Sequence, residues 1–317
     1  MAIAAHHDEI FELIDRDAEL ELLQDGFHFT EGPVWDAREG FLLFTDLAGD
    51  TIWRWDDEAG RAREWRRPSN MTNGLTRDPQ GRVLACEASS SLLTRTEPDG
   101  RITVVASHFA GEELNSPNDV VCRSDGTIYF TDPASGRARP HGVPRPRYLD
   151  FQGVFMVPPG GGEVRLAVGD FEIPNGLCFS PDESLLYIND SLRKQIRVFE
   201  VLPDGTLERG RLFQQQPGEL PDGPAITEEL IRTGTISEGM PDGMKCDERG
   251  NVYTGGPGGI WVVDPSGRSL GVIETPLFVG NLAFAGPDLR TLYICASTGL
   301  YRVRMKVAGD LLPHLRR

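Results

Sequence analysis

The chain of 317 residues, 39% of them hydrophobic, is long enough to bury a sizeable core, and its 36 glycines and 23 prolines speak for many turns and against disorder. A formal charge of -16 argues against nucleic acid, whose phosphates are met mainly by clustered Lys and Arg, and against an anionic membrane surface. No apolar run approaches the roughly 20 residues that span a bilayer, and residues 1–17 lack the basic end and apolar centre of a secretory leader, so the sequence reads as cytoplasmic.

After a strand-like stretch at Ala18–Leu23, Glu31-Gly32-Pro33-Val34 opens a pattern that recurs five times. It returns at Asn73-Gly74-Leu75, Asn118-Asp119-Val120, Asn175-Gly176-Leu177, Asp242-Gly243-Met244 and Asn281-Leu282-Ala283. Each head is Glu, Asp or Asn. An apolar stretch follows, then a turn such as Ser124-Asp125-Gly126, then a second strand. The units run from Glu31 to Asp46, Asn73 to Glu87, Asn118 to Asp132, Asn175 to Asp190, Asp242 to Gly255 and Asn281 to Ala296, roughly fourteen residues each time. Such a span suits an antiparallel pair, which puts each head and the end of its second strand on one face.

Further strands, such as Thr51–Trp55, Gln195–Phe199 and Gly259–Val263, bring the units to the four strands of a propeller blade. The last unit offers three, ending in Gly299–Val303, so Ala18–Leu23 is expected to supply its fourth. Closure of that kind hides sheet edges. The expected fold is all-β: a six-bladed β-propeller closed by an N-terminal strand in the last blade, with residues 1–317 as one domain.

Two stretches break the rhythm. Pro133–Gln152, rich in Pro, Gly and Arg, leaves from the head-bearing face and either roofs a pocket there or is a passive excursion; Gln214–Gly239 is expected to carry a short helix over Ala225–Arg232. Five widely spaced cysteines without any Cys-x-x-Cys read as buried free thiols in a reducing compartment.

A circular array brings the heads together around one axis. Four of them stand out as ligands of a hard divalent cation: the carboxylates Glu31 and Asp242 and the amides Asn118 and Asn175. Two carboxylates and two neutral carbonyls, completed by water, offset the charge and leave positions open for a substrate oxygen. Ordinary turn chemistry also favours Asn and Asp before Gly. Six heads in one register, with both acids on nearly opposite units, weigh against that simpler account.

Thr30-Glu31-Gly32-Pro33-Val34-Trp35, Ser116-Pro117-Asn118-Asp119-Val120, Ile173-Pro174-Asn175-Gly176-Leu177 and Pro241-Asp242-Gly243-Met244 together resemble the SMP-30/gluconolactonase/LRE-like family of six-bladed, regucalcin-like propellers, over nearly the whole chain. The resemblance implies one divalent cation on Glu31, Asn118, Asn175 and Asp242, with calcium foremost and zinc, magnesium, manganese or iron(II) as alternatives. It also implies a small-molecule partner, a sugar lactone of the gluconolactone type; the sequence itself leaves the oligomeric state open, with monomer or homodimer as the default expectation. A lactone is a cyclic ester, so Asp242 is the expected general base, with a role as ligand only as the alternative. Asn73 and Asn118 are expected to contact substrate and Trp35 to wall the pocket, although Asn73 also suits a turn and Trp35 a core position. Asp46, Glu87, Asp132 and Asp190 either orient the asparagine ligands or cap loops.

The chain departs from the family pattern after Cys86-Glu87, where many relatives carry His-Gly and it has Ala88-Ser89-Ser90-Ser91, which puts the usual substrate contacts there in doubt. There is no Gly-x-Ser-x-Gly elbow and no nucleotide-binding glycine pattern. His6, His7 and His314 fall at termini expected to be mobile, and His28, His108 and His141 share no metal spacing. Rival readings are an organophosphate or non-sugar lactone hydrolase on the same scaffold, or a calcium-binding propeller without turnover.

Overall fold

Each repeat folds into one antiparallel sheet, and the innermost strands of the six sheets touch one another in cyclic order, the last against the first. The structure is a computed structural model that describes residues 1–139, 141–218 and 239–310. Blade 1 comprises Thr30–Asp36, Phe41–Asp46, Thr51–Asp56 and Arg61–Arg66, from the axis outward. Blade 2 runs from Thr72–Arg77 to Ile102–Ala106, blade 3 from Val120–Cys122 to Arg165–Phe171, and blade 4 from Pro174–Phe179 to Leu207–Gln215. Blade 5 begins at Met244–Cys246 and blade 6 at Val279–Ala285.

The ring closes as expected. Glu21–Asp25 pairs antiparallel with Gly299–Arg304 as the outer strand of blade 6, with Glu21 opposite Arg302. It starts three residues later than the apolar pattern alone suggests. The terminus before it is not loose: Ile3–Ala5 adds a fifth strand to blade 5, Ile3 opposite Ile273, and the His6 ring lies 5.6 Å from Trp261. The helix expected over Ala225–Arg232, and His314, lie outside the described residues. Among the described residues no helix is long and apolar enough to cross a membrane.

Second strands are buried on both faces, which is why Phe41–Asp46 shows no polar alternation in sequence. The core consists of clusters wedged between neighbouring blades, such as Trp35, Leu42, Phe44, Tyr293 and Leu300 between blades 1 and 6. Each such side chain contributes about 1.5–3 kcal/mol when removed from water. All five cysteines are free and buried.

A recurrent device explains the repeat. Asp46, Asp132 and Asp190 end the second strands of blades 1, 3 and 4, and each accepts backbone N–H groups from the residues three and two before its own head. The donors are His28 and Phe29, Asn115 and Ser116, and Glu172 and Ile173. Glu87 does the same work in blade 2 through the Asn70 amide at 2.7 Å. These acids therefore hold the segments that lead into the heads, and they do so by capping, which separates the two readings open in the sequence.

Candidate active site

Four of the six heads enter the axis through a shared irregularity, whereas in blades 3 and 5 the head precedes the inner strand. The pairing of first and second strands slips between Glu31 and Val34, between Thr72 and Leu75, between Pro174 and Leu177, and between Val279 and Asn281. A bulge at the start of an inner strand re-aims a side chain, here toward the axis. In blades 1, 2, 4 and 5 the residue after the head is glycine, and atoms of the next blade lie against it. A Cβ on Gly32, whose φ is +50°, would sit 2.2 Å from the Asn73 carbonyl oxygen, and one on Gly176 would sit 2.2 Å from that of Asp242. Side chains of the second strands complete the ring: Thr45 Oγ1 donates to the Asn73 carbonyl at 3.0 Å and Thr254 Oγ1 to that of Asp242 at 3.3 Å.

Glu31, Asn73, Asn118, Asn175 and Asp242 line one cavity of about 250 Å³. All five are less than a tenth exposed. Nδ2 of Asn175 donates to Ser191 Oγ at 3.0 Å, and that hydroxyl donates to the Pro241 carbonyl at 2.6 Å, which leaves the amide oxygen as the end available to the cavity. The side chains of Asn73 and Asn118 have no hydrogen-bond partner among the described residues.

Trp35 is not at this cavity. Its position four residues past Glu31 carries it about 13 Å down the strand. There it packs into the core between blades 1 and 6 and lines a separate hollow at the other end of the axis with Val34, Leu75, Val121 and Phe284. The expectation that Trp35 walls the pocket is corrected accordingly.

Beneath the cavity lies a buried column that the repeat did not reveal. Asn281 Nδ2 donates to Glu31 Oε2 at 3.1 Å, and the Gly32 N–H donates to the same oxygen at 2.9 Å. Asn281 Oδ1 accepts from Lys245 Nζ at 3.2 Å and from the Leu282 N–H at 2.9 Å, so the amide cannot turn over without losing both bonds. Asp119, 3% exposed, completes the column and accepts the Val120 N–H. The cue available in sequence was the acid directly after Asn118, and Asn281 had already been counted among the heads.

Electrostatically the floor carries more acids than bases, with Lys245 the one cation in the column beneath it. Burial, reinforced by the Asp119 carboxylate, pushes Glu31 up to about 7 against the pull of the Gly32 N–H, Asn281 and Lys245. Burial, together with the negative charges of Glu31 and Asp119, holds Asp242 well above the usual carboxylate range. Burial raises Asp119 too.

The stretch 133–152 forms the roof. A short 3-10 turn, Ser135–Arg137, brings Ala134, Ser135, Ala138, Arg139 and His141 to the cavity. Arg137 locks it down by donating to the carbonyls of Asn115, at 2.7 Å, and of Leu114 and Pro146. Phe29, whose ring lies 5.8 Å from that of His141, joins Ile173 and Met240 as apolar wall. Phe29, Ile173 and Met240 each stand two residues before a head, a repeated position that the sequence reading did not single out as wall, whereas the residues from 134 to 141 belong to a stretch that occurs once.

Residues 29–298 match the SMP-30/Gluconolactonase/LRE-like region family. The chain is 30% identical to a gluconolactonase of Zymomonas mobilis over 94% of its own length and 84% of that protein's. A pentonolactonase of Haloferax volcanii is 26% identical over 85% of this chain and 81% of the relative. The solved structure of a gluconolactonase from Xanthomonas campestris superposes with a TM-score of 0.83 at 29% identity, covering 96% of this chain and 95% of that one.

Proposed function

The chain belongs to the SMP-30/gluconolactonase/LRE-like family, and from that premise we propose that it is a divalent-cation-dependent hydrolase that opens a sugar lactone. The observation that carries this reading is the convergence of Glu31, Asn73, Asn118, Asn175 and Asp242 on one buried cavity.

The donor set fits a hard cation, for it offers oxygen throughout and combines two neutral amides with two carboxylates. Charge supports the same fit. Glu31, Asp119 and Asp242 carry three negative charges when ionised and Lys245 one positive charge, a net of minus two in the column and the cavity floor, Arg139 on the roof left aside. Glu31, Asn118, Asn175 and Asp242 would hold the ion, calcium in the first place. When bound, it supplies polarisation of the ester carbonyl and charge stabilisation of the tetrahedral oxyanion.

The remaining chemistry falls to the chain's own groups. The Asn73 and Asn118 amides, without protein partners, orient the lactone through its hydroxyl and carbonyl oxygens. Asp242 takes a proton from the attacking water as the water oxygen bonds to the carbonyl carbon. It returns that proton to the ring oxygen as the carbon–oxygen ester bond breaks, so a hydroxy acid leaves and ionises in solution. Glu31 stays fixed by Asn281 and Gly32 and acts through position alone. Phe29, Ile173 and Met240 keep bulk water from the reacting centre.

Proton release from glucono-1,5-lactone and a panel of aldonolactones tests the reading, with metal-stripped protein before and after addition of calcium, magnesium, manganese, zinc or iron(II). Cation-restored turnover above spontaneous hydrolysis supports it. A folded protein inert with every cation overturns it, and phosphotriesters, non-sugar lactones and a binding role then follow in that order.

A further inference from the structure

We propose that the site selects lactones bearing an anionic group, a phosphate, sulfonate or carboxylate, at the end remote from the ester, and that Arg139 is the residue that selects them; this rests on the lactone reading above. The first observation is local charge. In a chain of formal charge -16, the stretch 133–152 carries four arginines against one acid, Asp150.

Two of those arginines are committed to structure. Arg137 is 5% exposed and holds the carbonyls of Leu114 and Asn115. Arg145 donates to the carbonyls of Ser89 at 2.7 Å and Ala88 at 2.8 Å. The roof is therefore pinned to the segment that follows Cys86-Glu87.

Arg139 is different. It is exposed, it lines the cavity, and it has neither ion pair nor hydrogen bond among the described residues. Acids outnumber bases 48 to 32 in this chain, and exposed Arg101, Arg209, Arg268 and Arg304 each sit against a carboxylate. Arg61, Arg147, Arg165, Arg211 and Arg290 are exposed without an ion pair among the described residues, as Arg139 is, but of these only Arg139 lines the cavity. A guanidinium left over at a cavity rim in so acidic a protein is available for a ligand.

The cavity is also polarised. Among its described lining residues the only carboxylates are Glu31 and Asp242 on the floor, and the only permanent cation is Arg139 on the roof. An anionic substituent is repelled from the floor carboxylates and drawn to the rim, so the same charge that adds affinity orients the ester toward Asp242. The planar guanidinium suits an oxyanion through two parallel N–H donors.

The test compares kcat/KM for glucono-1,5-lactone with that for its 6-phosphorylated and 6-sulfonated counterparts and for a lactone with a terminal carboxylate, in wild type and R139Q. The expected anionic-to-neutral ratio is about tenfold in wild type, shrinks as salt is raised, and collapses toward one in R139Q with partial rescue in R139K. A wild-type ratio at or below one, or a ratio untouched by R139Q, overturns the proposal. Calorimetric binding of gluconate and 6-phosphogluconate to the same proteins reads the selection without turnover. A protein that opens no lactone but loses its preference for the phosphorylated acid in R139Q would therefore fail the lactonase reading and keep the anion site.

Discussion

The floor and the roof of the cavity are built on opposite principles. The floor is a ring in which every head is held by its own blade and wedged by the next, as Gly32 against Asn73 and Gly176 against Asp242 illustrate. The roof is one excursion tied down by guanidinium bonds to backbone carbonyls. A ring of mutual contacts fixes charge to within tenths of an ångström, which chemistry needs, whereas a strapped loop can change sequence freely and suits substrate choice.

If that division holds, the largest effect comes from the floor. Asp242→Asn should lower kcat by about a thousandfold while leaving the fold intact, and the metal-free variant should melt higher than wild type above neutral pH because a desolvated charge facing Glu31 is gone. Full activity in this variant would remove Asp242 from the proton transfer. Next, Asn175→Ala should weaken calcium binding by roughly 10–100-fold in calorimetry, with Arg145→Ala leaving it unaltered. Equal losses in both would erase the distinction between floor and roof.

A smaller effect is expected from pH. Glu31 is pushed from an ordinary 4.5 to about 7, so between those values the folded metal-free protein holds a proton that the unfolded chain has released, and stability falls as pH rises. A cation displaces that proton and lifts the penalty. Calcium should accordingly raise Tm by roughly 5 °C more at about pH 8 than at about pH 5. A shift independent of pH would mean that Glu31 is not a ligand. The smallest effect is assigned to the roof: Arg145→Ala should raise KM for sugar lactones by roughly threefold with kcat nearly unchanged, since it loosens the strap and touches no reacting atom.

The same division governs what could be read from sequence. Blades and heads were legible because a repeat states its geometry six times over, and five of the six site residues expected from it, all but Trp35, do line one cavity. Trp35 misled because it adjoins a head in sequence, whereas past the slip between Glu31 and Val34 the strand carries its side chain down and into the core. The column of Asp119, Lys245 and Asn281 was hidden for another reason. Its members come from blades 3, 5 and 6, and their bonds exist only once those blades converge. Arg139 and His141 belong to a stretch that occurs once, so nothing in the chain corroborates them.

The bond between Asn281 and Glu31 joins residues 250 positions apart. During synthesis the first blade emerges long before its partner, and the outer strand of the last blade, Glu21–Asp25, waits longer still for Gly299–Arg304. A nascent chain therefore presents a half-ring in which Glu31 has the neighbouring Gly32 N–H but not yet Asn281, and the geometry around Glu31 is complete only at the moment the circle shuts. On the proposed reading, occupancy by a cation is thus a late event in the life of each molecule, a seal set on chains that have finished folding and withheld from those that have not.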